Sequence, residues 1–163
     1  MDQSAASDTP SSLIDMRPAT VVQVALLGVI LGAISWLVTL LLGRFVLDAI
    51  FCANESTTGI CLNTNVIAGN IAIVFSAIGG VLGLVRLGVY RPMLVAIAAA
   101  IVLWGVAGWV DGLMWYESLA WTVVLYALSY ATLTWLVRPR TFLIAIILVL
   151  VVVIAARILP TAI

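Results

Sequence analysis

Residues 18–43 contain no charged side chain, and neither do 92–110, 118–137 and 141–156. A fifth uncharged run, 56–85, begins with ten polar loop residues and then turns apolar. No other feature limits the fold as much. A helix needs roughly 20 residues at about 1.5 Å each to cross a hydrocarbon core of about 30 Å. The runs predict spans at about 20–43, 66–88, 92–112, 118–137 and 141–159. Backbone polar groups surrounded by lipid have to be satisfied within the segment, so the spans are read as helices. Composition agrees: 65% of the 163 residues are hydrophobic and mean hydropathy is +1.30, well above the roughly 45–50% apolar content of soluble domains. The expected class is an all-α integral membrane protein, a bundle of five transmembrane helices forming one domain over 20–163. The polar segment 1–19, rich in Ser, Asp and Pro, is expected to be a disordered cytoplasmic tail.

Orientation follows from arginine placement. Arg17, Arg86, Arg91, Arg138 and Arg140 fall on one side, and Arg44 and Arg157 on the other. The positive-inside rule puts the first group in the cytoplasm. The N-terminus is then cytoplasmic and the C-terminus extracytoplasmic, and the expected location is a bacterial inner (cytoplasmic) membrane. The first apolar run is too long for a cleaved signal, whose apolar region spans about 7–15 residues, so it is read as a retained anchor.

The polar stretch 51–65, "FCANESTTGICLNTN", then faces outward and holds both cysteines, Cys52 and Cys61. Disulfides persist on that side. The charges nearest in sequence, Asp48 and Glu55, are negative and disfavour a reactive thiolate. The pair is therefore read as a structural disulfide. Asn54-Glu55-Ser56 matches a glycosylation acceptor pattern, which matters only in an organism that glycosylates.

Between helices in lipid, small residues permit the close approach that the hydrophobic effect cannot drive. The second span carries Gly69, Ala72, Ser76, Gly79 and Gly83 at steps of three and four. The first carries Gly28 and Gly32, followed by Ser35 and Thr39, and the third carries Ala98, Gly105, Gly108 and Gly112. Three of these spans contain a G-x-x-x-G pair, and all these positions are expected to pack helices together. The fourth span has a hydroxyl stripe of Ser118, Thr122, Ser129 and Thr132, suited either to a polar path or to bonds back to its own carbonyls.

The chemistry on offer is sparse. The chain has no His, which removes the commonest metal ligand and general base. With two cysteines and no His, no zinc site is expected, and neither is any other metal or cofactor. Zero net charge gives no basis for nucleic acid as a partner. Nineteen apolar residues separate Arg91 from Asp111, about 28 Å of helix, which places Asp111 at the outer interface. No ionisable group is expected at the midplane. The outer face gathers Trp109, Asp111, Trp115, Tyr116 and Glu117, an aromatic belt or a shallow pocket with two carboxylates. Arg44 has Asp48 at i+4 as an expected partner. The inner face gathers Arg86, Arg91, Arg138 and Arg140, positioned for anionic headgroups or an acidic partner.

Three functional classes remain. The leading expectation is a non-enzymatic structural or assembly subunit of a membrane complex, with lipid and another membrane protein as partners. The alternatives are a small channel or transporter for a neutral solute or ion, and a membrane thiol-disulfide oxidoreductase.

Overall fold

The computed structural model of the chain describes residues 18–52, 61, 63–137 and 142–162, all of them in helices or the turns between them. Helix α1, Pro18–Leu41, continues without a loop through a π-helical turn, Leu42–Leu47, into the short α2, Asp48–Phe51. Then come α3 (Thr64–Arg86), α4 (Pro92–Leu103), α5 (Val106–Trp109), α6 (Trp115–Leu136) and α7 (Phe142–Ala162). Four stretches are long and apolar enough to cross a membrane: Ala19–Ile50, Thr64–Arg86, Pro92–Trp109 and Trp115–Leu136. Within α7, the apolar stretch Leu143–Ala155 is shorter.

Helix α1 packs most extensively on α6, and then on α3; α3 packs on α4, and α4 on α6. These four form a closed ring, and α7 lies outside it against α4 and α6. The sequence explains the closeness. A Cβ added at Gly28 would sit 2.7 Å from the Cα of Ala127, and one at Gly32 would sit 2.9 Å from the Cα of Val123. At two successive turns the α1 backbone therefore rests directly on that of α6. The core combines small side chains, Ala68, Ala72, Ala96, Ala98 and Ala99, with buried Ile73, Leu84, Leu103 and Leu133 and two tyrosines, Tyr126 and Tyr130. The outer surface carries the bulky aliphatics and Phe: Leu26, Phe75 and Leu82 are each more than half exposed. Small residues where helices meet, and bulky apolar ones covering the outer surface, are what lipid as the solvent calls for.

The elements depart from the runs of apolar residues in four places. The first helix runs on past residue 43 to Phe51, as the i, i+4 placing of Arg44 and Asp48 implied, and takes only Phe51 from the polar stretch 51–65. The third span is not one helix to residue 112. It breaks at Trp104–Gly105, resumes as α5 and ends at Trp109. Gly105 adopts φ +85°, which an L side chain tolerates poorly, so the glycine permits a turn that hydropathy does not register. The fourth helix starts at Trp115, three residues before the predicted span. Pro18 and Ala19 are helical, so the polar tail is shorter than 1–19; residues 1–17 lie outside the described residues.

Helix α3 ends in a Schellman motif. The Gly88 N–H donates to the Val85 carbonyl at 3.1 Å and the Val89 N–H donates to the Leu84 carbonyl at 3.0 Å, with Gly88 at φ +66°. Val89 and Leu84 are both buried, and their contact sets the direction in which the chain leaves for Arg91 and α4.

Candidate functional site

The end of the bundle bearing Arg44 and Asp111 contains a cavity of about 390 Å³. One wall is α1 with its π-helical turn, which contributes Trp36, Arg44 and Asp48. Another is the first turn of α3, with Thr64 and Asn65. The α5–α6 turn and the start of α6 complete it, with Asp111, Trp115 and Ser118. The deepest polar residues are Ser35, Thr39 and Thr122, all buried. Ser35 lies nine residues below Arg44, about 14 Å of helix, so the cavity reaches roughly half the depth of a hydrocarbon core.

The charges around it are one guanidinium, Arg44, and two carboxylates, Asp48 and Asp111. Asn65 Nδ2 donates to Asp111 Oδ1 at 3.0 Å and ties α3 to the α5–α6 turn. Among the described residues no ion pair joins Arg44 to Asp48. The reason is local: in the π-helical turn the Asp48 N–H donates to the Gly43 carbonyl five residues back, which breaks the i, i+4 alignment of an α-helix. Both side chains line the cavity instead.

Below the floor runs a chain of hydroxyls. Ser35 Oγ is 2.8 Å from Tyr126 Oη, and Tyr126 Oη is 3.1 Å from Ser76 Oγ. Ser76 Oγ donates to the Ile73 carbonyl at 2.9 Å. One direction satisfies all three contacts: Ser35 donates to Tyr126, Tyr126 to Ser76, and Ser76 to the backbone. The chain links α1, α6 and α3 across the middle of the bundle. Thr39 and Thr122 donate back to the carbonyls of Ser35 and Ser118, at 2.8 and 2.7 Å, which leaves their oxygen lone pairs available as acceptors.

The predicted packing glycines take up different roles. Gly28 and Gly32 lie on the α6 backbone, as described. Gly79 and Gly83 face Leu31 and Leu27 of α1, Gly69 lies against Ala107 and Gly108 lies near Val66. Ala72 and Ser76 are buried between them. Gly105 and Gly112 are corrections. Neither would bring an added Cβ within 4 Å of a neighbour, and both have positive φ, so they are turn glycines rather than packing glycines. Gly80, which the spacing passed over, is the residue on which the Tyr130 hydroxyl packs.

Cys52 and Cys61 are joined as a disulfide, with Cα atoms 5.7 Å apart. Of the two carboxylates in the outer group, Asp111 lines the cavity and Glu117 is not among its lining residues. Trp109, Trp115 and Tyr116 are exposed at this end, with the last two rings edge to face at 5.8 Å. At the opposite end Arg86 is exposed and Arg91 caps α4. Arg138 and Arg140 lie outside the described residues, as does the acceptor Asn54.

The hydroxyl stripe predicted on α6 needs revision as well. Thr122 is buried, but Thr132 is exposed and bonds back to the Leu128 carbonyl at 2.6 Å. The inward face instead runs Thr122, Tyr126, Tyr130 and Thr134. A strict four-residue spacing was the available signal, and it appears only when tyrosine is counted among the hydroxyl residues.

Comparison with known protein families, curated proteins and solved structures yields no match. The cavity and its floor therefore carry the functional reading by their own chemistry.

Proposed function

We propose that the chain is a five-span membrane protein, N-terminus cytoplasmic and C-terminus outside, whose outward-facing cavity binds a small ammonium-bearing solute as part of a channel or transporter. The observation that carries this reading is the cavity itself: two carboxylates and one guanidinium at its mouth, hydroxyls at its floor, about halfway into the bundle. Its lining has a formal charge of −1, which favours a cation or a zwitterion whose anionic end meets Arg44. Trp36 and Trp115 add aromatic surface, on which ammonium groups bind by cation–π attraction. On this reading the Ser35–Tyr126–Ser76 layer closes the route to the other side. The arginine distribution supports the orientation, and the length of α7 supports a fifth span. A purely structural subunit has no use for such a cavity, so the cavity favours solute binding over the assembly role.

The test is thermal stability of the protein in nanodiscs with choline, glycine betaine or glycerol, alongside solute uptake into liposomes containing the protein alone. Choline or betaine is expected to raise the melting temperature, and the double variant Asp48→Asn/Asp111→Asn to lose that response. Glycerol is expected to do nothing. If no ammonium solute stabilises the protein and none enters the liposomes, the reading fails.

A further inference from the structure

The three deepest polar residues of the cavity, Ser35, Thr39 and Thr122, have one property in common: each has its only hydroxyl proton committed elsewhere. Thr39 donates to the Ser35 carbonyl and Thr122 to the Ser118 carbonyl, at 2.8 and 2.7 Å. A carbonyl oxygen only accepts, so neither bond can reverse. Ser35 is fixed from further away. Ser76 Oγ donates to the Ile73 carbonyl at 2.9 Å, so towards Tyr126 Oη, 3.1 Å away, it can only accept. Tyr126 then has no proton left for Ser35 and accepts from Ser35 Oγ at 2.8 Å. A backbone carbonyl of α3 thus sets the proton order all the way to the cavity. Thr122 stands across from the two α1 residues: a Cβ added at Gly32, three residues before Ser35, would lie 3.3 Å from the Thr122 carbonyl oxygen. The floor therefore offers three hydroxyl oxygens as acceptors and none as a donor.

We propose that this floor selects a primary ammonium group over a quaternary one, with the nitrogen on Ser35, Thr39 and Thr122 and the rest of the solute towards the mouth. The proposal rests on the reading of the cavity as a site for an ammonium-bearing solute and narrows it. A primary ammonium carries three N–H donors and no acceptor, the complement of three hydroxyls that can only accept. Hydrogen bonds from a charged donor are also about twice as strong as neutral ones. A trimethylammonium group has no N–H and leaves those lone pairs unmatched at a depth where unmatched polar groups are costly. A carboxylate is all acceptor and finds no donor there, so the anionic end of a zwitterion faces outward, towards Arg44.

The experiment titrates the full chain in nanodiscs with ethanolamine, choline or sodium chloride and takes each dissociation constant from the rise in melting temperature. Ethanolamine and choline differ only in three N-methyl groups. Ethanolamine is expected to bind about ten-fold more tightly than choline, and sodium chloride to give no rise. Thr122→Val and Thr39→Val keep the side-chain shape without the oxygen, and each is expected to bring the two dissociation constants within about three-fold of each other. Thr122→Ser, which keeps the hydroxyl, is expected to retain the preference. Ser76 is not among the lining residues, yet Ser76→Ala frees the Tyr126 proton for Ser35 and lets Ser35 turn its own into the cavity. The preference is expected to fall in that variant too, by a smaller factor. Choline binding as tightly as ethanolamine would overturn the proposal and leave the cavity an ammonium site; binding of neither would overturn both. A preference that survives both valine variants, one lost equally in Thr122→Ser, one unchanged in Ser76→Ala, or a rise with sodium chloride equal to that with ethanolamine would also overturn it.

Discussion

The hydroxyl oxygens of Ser35 and Tyr126 are 2.8 Å apart, although 91 residues separate them in the chain. The contact joins α1 to α6 at the floor of the polar cavity, where Tyr126 also reaches Ser76 on α3. Tyr126→Phe removes both links and leaves the ring in place. Interhelical hydrogen bonds in membranes contribute about 0.6–2 kcal/mol, so a loss of about 1–2 kcal/mol is expected. Thermal unfolding in detergent micelles measures it. Tyr116→Phe, at an exposed tyrosine, is expected to change stability by less than about 0.5 kcal/mol.

At Gly28 the α1 backbone lies directly against that of α6. Gly28→Ala places a methyl group 2.7 Å from the Ala127 Cα and 3.0 Å from the Tyr126 carbonyl, both backbone atoms that cannot rotate away. Overpacking of this kind costs about 1–3 kcal/mol. At Gly43 the nearest atom to an added Cβ is 3.9 Å away, an ordinary contact. Gly43→Ala is expected to be neutral or slightly stabilising, because alanine restricts the unfolded chain. Equal melting temperatures for the two variants would contradict this account of the interface.

At Gly105 the constraint is conformation rather than space. Gly105→Ala meets no neighbour within 4 Å but must hold φ +85°. A cost of about 1–2 kcal/mol is expected from the left-handed backbone. Asparagine visits that region more readily, so Gly105→Asn is expected to be the milder change despite its size. If asparagine is worse than alanine, the glycine is there for packing and not for the turn.

The Cys52–Cys61 bond closes a loop of about ten residues, which the chain-entropy model values at roughly 2–3 kcal/mol. The double variant Cys52→Ser/Cys61→Ser is expected to lower the melting temperature and to leave the reductant without further effect. Intact mass before and after thiol alkylation under denaturing, non-reducing conditions checks the pairing. Alkylation of both cysteines without prior reduction would contradict it.

The helices were legible because charge and apolar solvent are incompatible, and an uncharged run of 20 or so residues has few other fates. The turn at Trp104–Gly105 was not. It lies inside "IVLWGVAGWV", where every residue is apolar or glycine, so neither hydropathy nor charge changes across it. Glycine spacing pointed to Gly28 and Gly32 but equally to Gly105 and Gly112, because the pattern does not distinguish a glycine that lacks a side chain for closeness from one that lacks it for φ. The cavity was half legible. Asp111 and Trp115 stood out as an outer group, and Arg44 and Asp48 as a pair. That all four line one cavity depends on the π-helical turn, which no local residue pattern announced. Tyr126 escaped notice because a tyrosine in an apolar helix resembles any other core aromatic until its hydroxyl is placed beside Ser35.

The wide turn at Leu42–Leu47 sets the phase of everything beyond it. An α-helix advances about 100° per residue, and a π-helical turn holds an additional residue within one revolution. Removing any single residue between Leu42 and Leu47 would let the segment relax into ordinary α-helix. Asp48 and Cys52 would then keep their direction, because the five remaining residues at about 100° each cover nearly the same angle as the six do in the wide turn. A one-residue deletion there leaves Asp48 and Cys52 in phase with the bundle, whereas closing the turn to α-helix with all six residues kept would rotate the helix end by about 100° and carry both away from the cavity and Cys61.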